Sequence, residues 1–200
     1  MSARARIPNL GGAKAFILHR PHATTLALSR SLSAIGLVPV EAWPELPAGG
    51  LAADFVFFDA DLGFDEQFPW RAGDAPMPQI ALIGSEAPGR IEWALGQSAD
   101  SHLVKPVGGS GVYSALLIAR RSFDARRNLA REVESLKARA SERQTIVRAV
   151  VALSESGVGE EQAYAQLRTL AMSWRVTIEE AARRIVELKT GGADERSRCL

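Results

Sequence analysis

From Val112 to about Leu153 the chain contains neither proline nor glycine, and this stretch limits what the rest of the sequence can fold into. Proline and glycine are the residues that most disfavour a helix interior, whereas the Arg, Glu, Ala and Leu that fill the stretch favour one. We therefore predict a single long helix. Because 200 residues suffice for one ordinary domain and a small one, the chain is long enough to form a separate domain on each side of this helix.

The central part of the predicted helix carries an apolar stripe. Its positions are separated alternately by four and three residues, the a/d spacing of a coiled coil, at Leu129, Val133, Leu136, Ala140, Arg143, Val147 and Val150. The spacing predicts a parallel homodimer with residues 123–142 as a coiled-coil linker and a seam at Leu129, Val133, Leu136, Ala140 and Val147. Ala140 and Arg143 would bury little apolar surface. A helix lying against its own N-terminal domain would need the same stripe, so this second interpretation stays open.

Five short apolar runs alternate with helical segments in the first part of the chain. The runs are Ala15–His19, Leu37–Val40, Asp54–Asp59, Gln79–Ile83 and His102–Val104. The third run is almost continuously apolar, as in a parallel strand covered on both faces. Helical spacing fills the gaps, with Gly36 ending the first helix and Val112–Phe123 closing the series. Residues 12–122 are therefore predicted to form an α/β doubly wound domain with a five-stranded parallel sheet.

The order of these elements, with Asp59 ending the third strand and Lys105 following the fifth, resembles the CheY-like receiver domain of two-component response regulators. The resemblance implies that Asp59 stands at the phosphoacceptor position and that Lys105 would pair with a phosphoryl group. In the family, a pair of acids after the first strand binds Mg²⁺, and a Thr or Ser ends the fourth strand.

This chain departs from the receiver pattern at two of those positions. His19-Arg20-Pro21-His22 follows the first strand, and Ile83 ends the fourth. Because phosphoryl transfer to a carboxylate needs a metal ion to neutralise charge, we predict a pseudo-receiver without catalytic residues, metal or cofactor, in which Asp59 and Lys105 form a residual ion pair. Phosphorylation of Asp59 is the alternative. His19 and His22 have no third ligand nearby in sequence and are not assigned a metal.

Two short amphipathic helices are predicted after Gly157. Apolar residues recur at the spacing of one buried helix face at Ala163, Leu167, Leu170, Ala171 and Trp174. Thr177 and Glu180 then have the T-x-x-E spacing of a capping box, which places the start of the second helix at Thr177. Together with the end of the long helix, these segments predict a small three-helix domain.

The residues of this region are similar to the ANTAR domain, the RNA-binding output module of AmiR- and NasT-type transcription antitermination regulators. Residues 161–172 fit E-x-A-Y-x-x-L-R-x-x-A-M, residues 175–186 fit R-x-T-I-x-E-x-A-x-x-I-V, and the first helix fits at Arg143, Ile146, Ala149 and Leu153. We place the domain at residues 137–190, followed by a flexible tail at 191–200. Val150 and Ser154 differ from the residues usual in the family, so the stretch after Gly157 is expected to carry most of the RNA recognition.

The ANTAR resemblance implies a homodimer that binds hairpins in nascent leader RNA and prevents a terminator from forming. It also implies control by a ligand-sensing partner protein rather than by phosphorylation. The expected RNA-binding residues are basic or polar and lie at exposed motif positions, namely Arg148, Arg168, Ser173, Arg175, Thr177 and Arg183. Arginine planes stack on unpaired bases and hydrogen-bond to phosphates.

Several alternatives remain open from the sequence alone. For each arginine expected to bind RNA, the alternative is a solvated surface position without RNA contact. For Thr177, the alternative is a role as a helix cap. A phosphorylation-responsive regulator with the same output is the second candidate function, and a DNA-binding helix-turn-helix at Ser173–Thr177 is the third. An enzyme is the least favoured class, because no nucleophile–base pair is found in the sequence.

Charge and cysteine content fit a regulator with two parts. From Arg120 on there are 16 basic and 12 acidic residues, and before it 8 basic and 11 acidic, so an acidic part precedes a basic one, as in proteins that join a regulatory domain to a nucleic-acid-binding one. Cys199 is the only cysteine, which fits a reducing compartment. No apolar run resembles a signal peptide or a membrane span, and we expect a soluble, cytoplasmic protein.

Overall fold

The computed structural model describes residues 10–155 and 157–197, with side chains up to residue 189. The chain divides into two compact units, Met1–Asn128 and Leu129–Leu200. The division falls a few residues beyond residue 122, where the sequence pattern predicts the end of the N-terminal domain. No helix in the described part of the chain is both long enough and apolar enough to cross a membrane.

The N-terminal unit is built on a five-stranded sheet in the order β2-β1-β3-β4-β5. The strands are β1 (Lys14–Leu18), β2 (Val38–Ala42), β3 (Phe55–Asp59), β4 (Gln79–Ile83) and β5 (Ser101–Val104). Every pairing between neighbouring strands is parallel. The structure confirms the predicted doubly wound fold, and the strand order is the one that CheY-like domains share.

Helices cover both faces of the sheet. Leu28 and Leu32 of α1 (Ala23–Ile35) and Leu116 of α3 (Val112–Ser154) pack in one apolar cluster. On the other face, Ala94 of α2 (Pro88–Gly96) belongs to a second cluster. All side chains of β3 and β4 are buried between these layers, as expected for central parallel strands. The sheet is therefore a rigid support for the loops at its carboxyl edge.

The long helix α3 is continuous over 43 residues, as the absence of proline and glycine predicts. The five predicted seam positions of this helix are all exposed, namely Leu129, Val133, Leu136, Ala140 and Val147. Exposed apolar side chains at a/d spacing are what a coiled-coil partner would cover. The homodimer itself stays a prediction.

The C-terminal unit is the predicted three-helix domain, formed by the end of α3, α4 (Glu160–Trp174) and α5 (Ile178–Ser197). Much of its core consists of small side chains, which allow helices to pack closely. They are Ala149, Ala171, Ala181 and Ala182, packed with Leu167 and Ile185. Thr177 Oγ1 accepts a hydrogen bond from Glu180 N at 3.3 Å, so α5 begins at the predicted cap.

Two features of this unit differ from the expectations drawn from sequence. The placement of Trp174 on the buried face of α4 is wrong, because its side chain is 37% exposed. The helix ends at this residue, and Arg175 turns the chain through a left-handed conformation (φ 55°) toward α5. The backbone of α5 is helical to Ser197, past the start of the tail expected at 191–200, and residues 198–200 lie outside the described residues. Flexibility of the tail stays a prediction.

Candidate functional site

The predicted phosphoacceptor region lies where the parallel strands end. His19 follows β1, Asp59 ends β3, Gly84 follows β4 and Lys105 follows β5. Because all strands run in the same direction, these residues meet at one edge of the sheet. An open cavity at this edge is lined by His19, Arg20, His22, Thr24, Asp59, Asp61, Leu62, Gly84, Lys105 and Pro106.

The structure brings Asp59 and Lys105 into direct contact. Lys105 Nζ donates a hydrogen bond to Asp59 Oδ1 at 2.7 Å, and the Asp59 side chain is only 1% exposed. His19 Nδ1 lies 2.6 Å from Arg20 O, and since a carbonyl only accepts, the ring proton is on Nδ1. The Nε2 atom of the same ring lies 3.5 Å from Lys105 Nζ and 3.4 Å from Asp59 Oδ2. The buried carboxylate is therefore paired with a cation, as Asp59 was predicted to be.

Asp61 is a second carboxylate at this site, and it was not among the residues predicted from sequence. Its Oδ2 lies 2.6 Å from Lys105 Nζ and accepts a hydrogen bond from Gly84 N at 2.8 Å, while its Oδ1 accepts from Ser85 N at 2.9 Å. Burial alone would raise the pKa of the Asp61 carboxyl. The hydrogen bonds from Lys105, Ser85 and Gly84 and the charge of Lys105 outweigh burial, and they hold the pKa below its ordinary value.

The side chains at this edge do not fit the Mg²⁺ ion of receiver domains. Mg²⁺ takes oxygen ligands, and the first strand here leads into an imidazole and a guanidinium, at His19 and Arg20. The carboxylates of Asp59 and Asp61 both lie within 2.7 Å of the Lys105 ammonium, which occupies the space between them and neutralises one of their two negative charges. In the described residues, no three His, Cys, Asp or Glu side chains are grouped to hold a metal ion.

A sequence signal for Asp61 was available. Asp59 and Asp61 are two residues apart, and the Gly84-Ser85 pair follows the neighbouring strand β4. Loops after adjacent parallel strands lie side by side, so an acid after β3 can reach the backbone N–H groups after β4. The glycine is the more specific part of the signal, because it lets a side chain approach the backbone closely.

The second candidate site is a surface groove on the C-terminal unit. It is lined by Tyr164, Arg168, Ala171, Met172, Arg175, Val176 and Ile178. Tyr164, Arg168 and Met172 are four residues apart along α4 and so lie on one face of the helix. All three are exposed, with 44% of Tyr164 and 70% of Met172 accessible to solvent. A guanidinium between an aromatic ring and a thioether gives a surface suited to stacking and phosphate contact.

All six predicted RNA-binding residues are exposed, but their neighbours differ. Arg168 and Arg175 share the groove. Arg183 Nη1 instead donates to Glu180 Oε2 at 2.6 Å, and Thr177 Oγ1 caps α5. Ser173 Oγ donates to Leu170 O at 2.9 Å within α4. Arg148 lies on α3, and for Arg148, Arg168 and Arg175 the described residues supply no ion-pair partner.

Tyr164 and Met172 are groove residues that were not predicted from sequence. Both belong to the motif A-Y-x-x-L-R-x-x-A-M, at four residues before and four after Arg168. Only basic and polar residues of that motif were predicted to bind RNA, although an exposed aromatic at this spacing is equally informative for recognition of unpaired bases. Trp174 also contributes an exposed ring beyond the groove, with the Arg184 guanidinium 5.8 Å from its centroid.

Comparison with known proteins confirms the family predicted for the C-terminal unit, since residues 134–186 match the ANTAR domain. Among curated proteins, none matches this chain. Three solved structures are similar to it. ShkA Rec1 in complex with c-di-GMP is 22% identical over 56% of this chain and 95% of that one, with a TM-score of 0.44, and CheY4 of Vibrio cholerae is 16% identical over 55% of this chain and 99% of that one, with a TM-score of 0.43. Full-length FixJ from B. japonicum is 15% identical over 88% of this chain and 98% of that one, with a TM-score of 0.45. The fold assignment of the N-terminal unit rests on its own strand order.

Proposed function

We propose that this chain is a transcription antitermination regulator that binds hairpins in nascent leader RNA through its C-terminal unit. The observation that carries the proposal is the match of residues 134–186 to the ANTAR domain. The family resemblance implies RNA binding by that domain, and the groove on α4 offers the chemistry that RNA loops require. Single-stranded loops are recognised by stacking of unpaired bases on aromatic or guanidinium planes and by contacts to phosphates.

Within the groove, Arg168 and Arg175 are the residues we assign to RNA contact, with Tyr164 as a stacking platform. The two guanidinium groups line the same groove as the tyrosine ring. Arg183 is a weaker candidate, because a guanidinium already paired with Glu180 must give up that contact before it binds phosphate. This distinction ranks the arginines that the motif alone could not separate.

Dimerisation through α3 would bring two RNA-binding units onto one transcript. The second unit then binds at a high effective concentration, which strengthens the complex without new contacts. The exposed seam at Leu129, Val133, Leu136, Ala140 and Val147 supports this arrangement. Control would come from a ligand-sensing partner protein that binds the regulator in the cytoplasm and releases it.

The proposal is tested by RNA binding of the full-length chain. An RNA hairpin is first selected from a pool with randomised loops against the wild-type chain, and its affinity is compared with that of the matched duplex DNA. We expect binding to the hairpin and little to the DNA. Equal affinity for both would favour a DNA-binding helix-turn-helix, and affinity for neither would contradict a nucleic-acid function.

A charge-matched pair of variants then tests the site. Arg168→Ala and Arg183→Ala each remove one positive charge from an exposed helix position. We expect Arg168→Ala to weaken hairpin binding by roughly tenfold, equal to about 1.4 kcal/mol, and to lower the salt slope by about 0.7 for each phosphate that is no longer neutralised. Arg183→Ala should change binding much less. Equal losses of affinity in both variants would mean that only the net charge of the chain matters, and this would contradict the assignment of Arg168 in the groove to RNA contact.

The phosphorylation alternative requires a separate measurement. The full-length chain is incubated with Mg²⁺ and a small phosphodonor, and acylphosphate is quantified by intact mass. We expect none at Asp59, because the acids that hold Mg²⁺ in receivers are replaced by His19 and Arg20. Formation of acylphosphate that is abolished by Asp59→Asn would establish the alternative function.

A further inference from the structure

The three groups that contact the Asp61 carboxylate form a cradle for an oxyanion. Two consecutive backbone N–H groups, those of Gly84 and Ser85, donate to it, and the Lys105 ammonium lies beside it. Successive backbone N–H groups that converge with a cation are a common way for proteins to bind phosphate or carboxylate groups. In this chain the bound anion is the chain's own side chain.

Gly84 is fitted to this arrangement. A Cβ atom at position 84 would lie 2.6 Å from Asp61 Oδ2 and 3.0 Å from Lys105 Cε. The backbone φ of Gly84 is not positive, so this position does not need glycine for a left-handed conformation. What glycine provides is room for the Asp61 carboxylate to approach the backbone.

The loop that carries Asp61 is fixed on both sides of this residue. Arg90 donates from Nε to Ala60 O at 2.6 Å and from Nη2 to Gly63 O at 2.8 Å. A Cβ at Gly63 would lie 2.2 Å from the Trp93 ring, so this part of the loop also packs closely against α2. A carboxylate held in this way reaches the cradle with little loss of conformational freedom, and its effective concentration there is high.

We propose that Asp61 is an internal ligand that fills an oxyanion-binding cradle made by Gly84, Ser85 and Lys105, and thereby excludes small external oxyanions such as phosphate. The N-terminal unit thus holds a permanent anion at this position without a phosphoryl group or a metal. This proposal concerns the N-terminal unit alone and does not depend on RNA binding. Its failure would leave the antitermination proposal untouched.

The test is whether removal of the internal carboxylate opens a site for inorganic phosphate. Because the Asp59 carboxylate also lies next to Lys105 and would repel an anion, the comparison uses Asp59→Asn and the double variant Asp59→Asn/Asp61→Ala. The two full-length proteins differ only in the cradle ligand. Phosphate binding is measured by isothermal titration and by thermal shift, at constant ionic strength maintained with NaCl.

We expect the double variant to bind phosphate at least about tenfold more tightly than Asp59→Asn, which should resemble the wild-type chain. Adding Lys105→Ala to the double variant should abolish the gain. Equal phosphate affinity in Asp59→Asn and the double variant would overturn the proposal, and so would a gain that survives removal of Lys105.

Amide hydrogen exchange of the wild-type chain gives a second measurement that needs no variant. The N–H groups of Gly84 and Ser85 lie in a loop before α2, and their only assigned acceptor in the described residues is the Asp61 carboxylate. We expect both to exchange at least about tenfold more slowly than free peptide. Exchange at the free-peptide rate would overturn the proposal even if the variants with Asp61→Ala failed to fold.

Discussion

Replacing Gly84 with alanine should lower the free energy of unfolding of the wild-type chain but raise that of a variant without the Asp61 carboxylate. In the wild-type chain the new Cβ would lie 2.6 Å from Asp61 Oδ2, so the carboxylate must leave the cradle. Hydrogen bonds to a charged group contribute about 1.5–3 kcal/mol each, and because the Asp61 side chain is 23% exposed we take the lower value for the two N–H bonds. Lys105 keeps its ion pair with Asp59, so we assign no change to its contribution to the free energy of unfolding.

The alanine also has a favourable effect, which sets the net result. At a backbone conformation that alanine tolerates, Gly→Ala stabilises by about 0.4–1 kcal/mol because it restricts the unfolded chain. The loss of two hydrogen bonds minus this gain gives a net destabilisation of about 2 kcal/mol in the wild-type chain. In an Asp61→Ala background there is no carboxylate to displace, and Lys105 Cε, 3.0 Å from the new Cβ, belongs to a flexible side chain that can shift, so a gain of at most about 0.4–1 kcal/mol remains.

The assay is urea unfolding of the full-length chain in a Trp174→Phe background. The remaining tryptophans, at positions 43, 70 and 93, all lie in the N-terminal unit, so fluorescence reports on that unit alone. Within this background, the free energy of unfolding is compared for the chain without further change, for Gly84→Ala, for Asp61→Ala and for the two substitutions combined. A similar loss of stability from Gly84→Ala whether or not Asp61 is present would refute the reasoning, because it would place the cost in the backbone rather than in the carboxylate.

Three further predictions concern other parts of the chain. Ala182→Leu should destabilise the C-terminal unit by about 1–3 kcal/mol through overpacking of a fully buried site, whereas Ala165→Leu on the exposed side of α4 should change little, as measured by urea unfolding followed by circular dichroism. The free energy of unfolding of the wild-type chain should exceed that of Asp61→Asn by a constant amount above the ordinary carboxyl pKa of 3.8. This difference should shrink as the pH falls through the lower folded-state pKa of Asp61, and a difference that grows on acidification would contradict the lowered pKa. Leu136→Glu should convert the predicted dimer to a monomer in sedimentation velocity, while Ala138→Glu, which lies off the seam, should leave it dimeric; a monomeric wild-type chain would contradict the predicted coiled coil.

The fold could be predicted because its determinants are local in sequence. The almost continuously apolar run ending at Asp59 specifies a central parallel strand, and the lack of proline and glycine after Val112 specifies one long helix. Contacts that depend on the tertiary fold could not be obtained in this way. The pairing of Arg183 with Glu180, three residues earlier on the same helix, follows from local spacing, whereas the groove that Arg168 shares with Arg175 depends on how the chain turns from α4 into α5.

The same limit explains the missed carboxylate. Asp61 and Gly84 are far apart in sequence, and their relation appears only when the loops after β3 and β4 lie side by side. Matching a family motif directs attention to the positions that the family uses, here Asp59 and Lys105. A residue that takes over the task of an external ligand has no place in such a motif, so the family pattern alone does not indicate Asp61, and the predicted strand order has to be considered as well.

An occupied cradle also limits how a signal can reach the N-terminal unit. A phosphoryl group on Asp59 would bring a charge of about −1.5 to −2 next to the Asp61 carboxylate, with Lys105 as the cation that both would share. Phosphorylation would therefore be opposed by repulsion between the phosphoryl group and the Asp61 carboxylate, whereas a partner protein that binds elsewhere on the unit would meet no such opposition. The internal carboxylate, together with His19 and Arg20 at positions where receivers carry acids, thus supports the proposal that a partner protein controls this unit and that chemistry at Asp59 does not.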